Sequence, residues 1–171
     1  MPSARRFAHN KEYKGDLENK KLCYIGDGNN MANSLIVGCL KCSMKVSVAC
    51  PKGYEPDSEV LKFAEDYKGF ELTDDPVKAA KDADAVYTDV WASMGQESEK
   101  QKREEVCNDK YQINDSVMAS AKSDAIVLHC LPAHREEEIT AKVIEAHADE
   151  IFNEAENRLH AQKAVLVKLM A

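Results

Sequence analysis

Ile126-Val127-Leu128-His129-Cys130-Leu131-Pro132-Ala133-His134-Arg135 decides how the rest of the chain is read. Residues 126–128 are apolar and rich in β-branching, the composition of a strand buried on both faces of a parallel sheet. Polar and reactive types then follow at once: an imidazole, a thiol, a second imidazole and a guanidinium. Pro132 cannot donate to a ladder, so the strand ends there. In an open α/β sheet, ligands bind outside the carboxyl ends of the strands. A strand ending in His-Cys-Leu-Pro therefore sets a thiol and free backbone groups where a ligand would sit. Alone, a His-Cys pair is more simply a core cysteine beside a capping histidine.

Outward from this stretch the pattern alternates. A strand over 22–25 runs into Gly26-Asp27-Gly28. A helix over 30–41 follows, with Met31, Leu35, Ile36, Val37 and Leu40 at helical spacing. A strand over 45–49 leads to a helix over 56–67 that buries Val60, Phe63, Ala64 and Tyr67. A short peripheral strand spans 70–73, and Asp75-Pro76 opens a short helix. The strand over 85–88 delivers Asp89 to its carboxyl end, and 91–95 forms a loop. The mixed-charge run 97–105 reads as a solvated helical face. Asn114 caps a helix over 115–121. Beyond the opening strand come a helix over 136–146, a short strand at 151–152 and a last helix over 156–170. That helix is apolar over more than one face, which usually means burial.

Strands alternating with helices give a three-layer α/β/α architecture with a mainly parallel, Rossmann-like sheet. Its topology brings Gly26, Asp89 and His129 to one rim. Residues 1–20 are polar and read as a flexible arm or interdomain connection, and 21–171 as one domain.

A 171-residue chain is long enough for a full core. Its net charge of -7 disfavours nucleic acid and anionic membrane as partners. No apolar run approaches a membrane span, and Arg5-Arg6 lack the apolar segment of a signal peptide. Six cysteines suit a reducing cytoplasm. Cys39-Leu40-Lys41-Cys42 has no second pair or nearby histidine to complete a zinc site, and it ends a helix rather than starting one. A dinucleotide fingerprint fits poorly: Gly26-x-Gly28-x-x-Met31 lacks the third glycine, and no acid ends the strand over 45–49. Neither metal nor cofactor is expected.

Three spaced motifs carry a resemblance. Gly26-Asp27-Gly28-Asn29-Asn30-Met31, Asp89-Val90-Trp91-Ala92-Ser93-Met94-Gly95 and His129-Cys130-Leu131-Pro132, with Ala155-Glu156-Asn157-Arg158 near the end, resemble the carboxyl-terminal, ornithine-binding half of ornithine carbamoyltransferase. The likeness runs from about Tyr13 onward. The related aspartate enzymes differ at the second and third motifs. The Ser-Thr-Arg-Thr motif with which the family cradles carbamoyl phosphate does not occur in these residues.

The resemblance implies that carbamoyl phosphate and L-ornithine give L-citrulline and phosphate, without a cofactor, in cytoplasmic arginine metabolism. It assigns Asp89 and Ser93 to the α-ammonium of ornithine, and Asn30 and the Met94 amide to its carboxylate. Cys130 lies beside the δ-amine. Cys130, the Leu131 carbonyl and Arg158 face the carbamoyl group, so Cys130 and Arg158 are the expected catalytic residues. The residue types are physically apt, since a carboxylate gives an ammonium a charge-assisted bond and a neutral thiol favours an uncharged amine. Each residue alone has a simpler role. Asp89 could cap a loop, Asn30 could be a helix N-cap, and Arg158 could pair with Glu154 or Glu156. Without the phosphate cradle the chain is expected to bind ornithine but not to turn over alone. Carbamoyl phosphate would bind only with the missing domain. A homo-oligomer is expected. Two alternatives are a non-catalytic ornithine-binding or interaction module, and a carbamoyltransferase for another amine such as putrescine.

Overall fold

The structure is a computed structural model and describes residues 13–91 and 100–170. The elements are β1 (Lys21–Ile25), α1 (Asn30–Lys41), β2 (Lys45–Ala49), α2 (Ser58–Ala64), β3 (Phe70–Thr73), α3 (Pro76–Ala80), β4 (Ala85–Thr88), α4 (Lys100–Cys107), α5 (Asp115–Ser120), β5 (Ile126–His129), α6 (Ala141–Ala146) and α7 (Ala148–Met170). The strands form one sheet in the order β3-β2-β1-β4-β5, with every pairing parallel. This is the three-layer, Rossmann-like arrangement that the alternating pattern calls for.

Successive strand residues point to opposite faces, and both faces are apolar. Leu22, Tyr24, Val46, Val48, Tyr87 and Leu128 share a core with α1 and with Ala64 of α2. Cys23, Ile25, Ala49, Val86 and Val127 share the other with α3, α5 and α6. Each large apolar side chain so buried contributes roughly 1.5–3 kcal/mol.

From β1 the chain builds outward to β2 and β3, then returns to lay β4 on the other side of β1. The direction of winding therefore reverses between β1 and β4, where a crevice opens in such folds. Ile25 pairs with Thr88, and Thr88 with His129. The next residue on each strand is Gly26, Asp89 or Cys130, so parallel register sets these three side by side on one rim.

Several local expectations are corrected. Residues 151–152 are not a strand; they belong to α7, which begins at Ala148 rather than near 156. The inward face of its first turns is Ile151, Glu154 and Asn157, all buried. Two of these are polar, which hid the helical period. The helix expected over 136–146 starts only at Ala141, capped by Thr140, whose Oγ1 accepts from the Val143 amide. Residues before it form a turn held by Gln112, whose Nε2 donates to the carbonyls of Glu136 and Glu137 at 3.0 Å each. The run 97–105 is more than a solvated face. Its described part lies in α4, where Arg103 is buried against Asp27 and lies over the Tyr54 ring at 5.0 Å. α7 exposes its later apolar residues, with Leu159 64% and Leu169 75% accessible.

Residues 1–12 of the expected arm lie outside the described residues. Residues 13–20 touch the domain: Lys14 Nζ pairs with Asp124 at 3.0 Å, and Leu17 packs on the first core. No helix among the described residues is long and apolar enough to cross a membrane.

Candidate functional site

At the reversal between β1 and β4, Asp89 is 6% accessible, and both of its carboxylate oxygens are hydrogen-bonded. Its Oδ1 accepts from the Val90 amide and from the Cys130 thiol, each at 2.8 Å. Its Oδ2 accepts from Asn29 Nδ2 at 3.0 Å. An ionised carboxylate offers about four acceptor directions, so these donors leave one on the Oδ2 side. The Cys130 proton is directed at Asp89, so the sulfur is an uncharged thiol.

Asn29 joins the first motif to the second. It, and not Asn30, is the N-cap of α1: its Oδ1 accepts from the amides of Met31 and Ala32. Those amides are thereby satisfied within the helix. Tyr24, buried below, donates its hydroxyl to the Asp27 carbonyl at 2.9 Å. Burial, reinforced by the nearby Asp89 charge, pushes the Tyr24 phenol well above its ordinary range, so it keeps that proton. Gly28 is forced by close approach. A Cβ there would lie 2.3 Å from the Pro56 nitrogen, and the Gly28 amide donates to the Tyr54 carbonyl at 2.8 Å.

The loop bearing Cys130 is fixed from beneath. His129 is fully buried. Its Nδ1 accepts from the Leu131 amide at 2.9 Å, so the ring proton sits on Nε2 and donates to Glu138 Oε1 at 3.1 Å. The same oxygen accepts from the His134 amide at 2.6 Å. His129 therefore orients the loop and faces away from the rim. Leu131 carries a φ of 53° and precedes a cis bond to Pro132.

Of the residues singled out in the sequence, Asp89 and Cys130 are in direct contact, and Leu131 follows on the same loop. Asn30 is the first residue of α1, exposed, beside the capping Asn29. Arg158 is exposed on α7. The simpler partners considered for it are engaged elsewhere: Glu154 accepts from Tyr87, and Glu156 faces His160. Ser93, Met94 and the loop over 92–95 lie outside the described residues. Sequence reasoning missed Asn29, Glu138 and the Asp27–Arg103 pair. Only Asn29 left a signal, since Asn-Asn at a helix start offers two candidate caps.

Burial separates Cys42 and Cys130 from the other thiols. Cys23, Cys50 and Cys107 are pushed up to about 12 by burial. Cys39 is buried as well, while Cys42 is exposed and Cys130 half-buried.

A sequence profile described as aspartate/ornithine carbamoyltransferase, Asp/Orn binding domain, matches residues 18–169. Ornithine carbamoyltransferase of Pyrococcus horikoshii is 51% identical over 164 residues, covering 93% of this chain and 51% of that protein. The Bacillus subtilis protein of the same name is 50% identical over 165 residues, covering 94% of this chain and 51% of its own length. Among solved structures, the Pyrococcus furiosus ornithine carbamoyltransferase superposes with a TM-score of 0.87 at 47% identity, over 96% of this chain and 54% of that one. The anabolic enzyme of Campylobacter jejuni gives 0.89 at 36% identity, over 98% and 57%. The chain thus spans about half the length of the curated relatives it matches. With a match extending over nearly all its residues, the chain belongs to the aspartate/ornithine carbamoyltransferase family, as an Asp/Orn-binding domain.

Proposed function

We propose that this chain binds L-ornithine and serves as the ornithine-binding domain of an ornithine carbamoyltransferase. The reaction would join carbamoyl phosphate and ornithine to give citrulline and phosphate, within cytoplasmic arginine metabolism and without a cofactor. The observation that carries this reading is the Asp89 carboxylate, held by Asn29 and Cys130 where the sheet reverses its winding.

In this reading the free direction on Asp89 Oδ2 takes the α-ammonium, with Ser93 alongside. Asn30 and the Met94 amide hold the α-carboxylate. The δ-amine must be neutral to attack the carbamoyl carbon. Cys130, with its proton committed to Asp89, places no anion beside that amine to hold it as an ammonium. The Leu131 carbonyl and Arg158 face the carbamoyl group, and Arg158 stabilises charge that develops on its oxygen. Residues 1–20 would lead into the binding unit over 21–171.

Calorimetry tests the assignment: ornithine should bind and putrescine should bind far more weakly, because a diamine leaves the carboxylate donors unpaired. Equal affinity for the two would rule it out. Turnover is expected to require a carbamoyl phosphate-binding domain, since positioning of both substrates supplies most of the rate. The purified 171-residue chain should make no citrulline. Citrulline formed by it, and lost in Cys130→Ala, would show that the second domain is dispensable.

A further inference from the structure

Beyond Pro132, the loop that carries Cys130 gathers a second set of polar groups. His134, Glu137 and Glu138 each present a ligand atom, all within 4.8 Å of one another. Glu138 is completely buried, and its Oε2 has no hydrogen-bond partner. That oxygen faces His134 Nδ1 at 3.9 Å, while Glu137 Oε2 lies 3.5 Å from the same nitrogen. Both separations exceed an N–H···O bond of about 2.7–3.2 Å. They approach instead the edge of a tetrahedron, about 3.4 Å for bonds of roughly 2.0–2.1 Å.

We propose that His134 Nδ1, Glu137 Oε2 and Glu138 Oε2 form a binding site for a divalent transition-metal ion of the zinc or cobalt type. One imidazole and two carboxylates suit such an ion better than magnesium or calcium, which favour all-oxygen shells. Water would complete a tetrahedron. The two outer ligands are 44% and 37% accessible, which leaves an entry path. The scaffold is set beforehand: Gln112 holds the carbonyls of Glu136 and Glu137, and the Ile113 amide donates to the Glu138 carbonyl at 2.9 Å. An ion would satisfy the buried orphan oxygen, which is otherwise costly to leave without a partner. It would also stiffen the loop that carries Cys130, because Glu138 Oε1 is the group that holds His129 and the His134 amide. The site does not depend on what binds at Asp89. Its ligands escaped the sequence reading because that reading weighed only cysteine spacing.

Titration of the full chain with Co2+, followed by visible absorption, tests the site. A four-coordinate nitrogen–oxygen spectrum saturating at one ion per chain is expected, with Zn2+ displacing the cobalt. His134→Ala and Glu137→Gln should each weaken binding by roughly tenfold or more. Both positions are at the surface, so circular dichroism should show unchanged folding; Glu138→Gln is avoided because Glu138 also holds His129. The spectrum should persist when Cys42 and Cys130 are replaced by Ser. A thiolate-to-cobalt band that vanishes in those cysteine variants would place the metal elsewhere and overturn the proposal. So would absence of binding, or binding indifferent to His134→Ala and Glu137→Gln.

Discussion

The Asp89 carboxylate ties together the ends of three strands, accepting from Asn29 and from Cys130. Asp89→Asn keeps the shape but removes the charge and turns one acceptor into a donor facing either Asn29 or Cys130. Ornithine affinity should fall by roughly 1.5–3 kcal/mol, the range for a hydrogen bond to a charged group. An analogue lacking the α-ammonium should lose much less, and paired calorimetric titrations would show the difference. Gly28→Ala should disturb the same site from a distance. Its Cβ would collide with backbone at 54–56, so the turn bearing Asn29 and Asn30 must shift. A stability loss of roughly 1–3 kcal/mol is expected, together with weaker ornithine binding; an unchanged denaturation midpoint would contradict the contact. Thiol mapping gives a third check. Alkylation at neutral pH should mark exposed Cys42 first, reach half-buried Cys130 more slowly because its proton is directed at Asp89, and spare Cys23, Cys50 and Cys107, whose burial holds them protonated. Ornithine should protect Cys130 alone, as read by mass spectrometry of the peptides.

The elements are tied to one another by buried polar bonds that no periodicity reveals. α7 is fastened to the sheet by the Tyr87 hydroxyl, which donates to Glu154 Oε1 at 2.9 Å in a fully buried contact. Tyr87→Phe removes that donor and should destabilise the domain by about 1–3 kcal/mol, measured by urea unfolding. The start of β4 is tied to β1 in a similar way. Asp84 accepts from the Lys21 amide at 2.9 Å and from Lys122 Nζ at 2.7 Å. Burial alone would raise this carboxyl, but Lys122, the Lys21 amide and Lys20 together hold it below its usual value. A depressed carboxyl stabilises the fold fully above its unfolded value, about 3.9, and the contribution fades as pH falls through the lower folded value. The stability gap between wild type and Asp84→Asn should therefore be constant near neutral pH and close below about pH 4. A gap that stays constant to low pH would mean that Asp84 contributes only shape.

At the scale of the whole molecule, α7 extends beyond the domain it belongs to. Its buried residues are Ile151, Glu154 and Asn157, all in its first half. Phe152, Leu159 and Leu166 are exposed and recur every seven residues, and exposed Leu169 follows three later, so the four share one face of the helix. Exposed apolar stripes of this kind mark association sites. The chain is expected to self-associate through α7 as a dimer, the simplest closed form. Truncation after Ala164 should weaken association while leaving the core intact, because no fully buried residue of α7 lies beyond Asn157. Sedimentation of a compact monomer at high concentration, with α7 folded, would sink the idea.

The sequence by itself determined the parallel sheet, the positions of its five strands though not the absence of a sixth at 151–152, and the motifs at the strand ends. These depend on local causes: apolar runs buried on both faces, caps such as Asp75 and Asn114, and a proline that stops β5. It also put Asp89 and Cys130 at strand ends, because abrupt polarity after an apolar strand is visible in one dimension. What it left undecided depends on partners distant along the chain. Asn29 displaced Asn30 as the cap of α1 while its amide reaches across to Asp89, on another strand end. Glu138 is one of three consecutive glutamates, and only the fold buries it beneath His129. Glu154 and Asn157 concealed the start of α7 because polar residues on a buried face break the period by which helices are read. Only tertiary structure pairs such groups, since the cost of burying a polar atom is met by a donor or acceptor that sequence order does not specify.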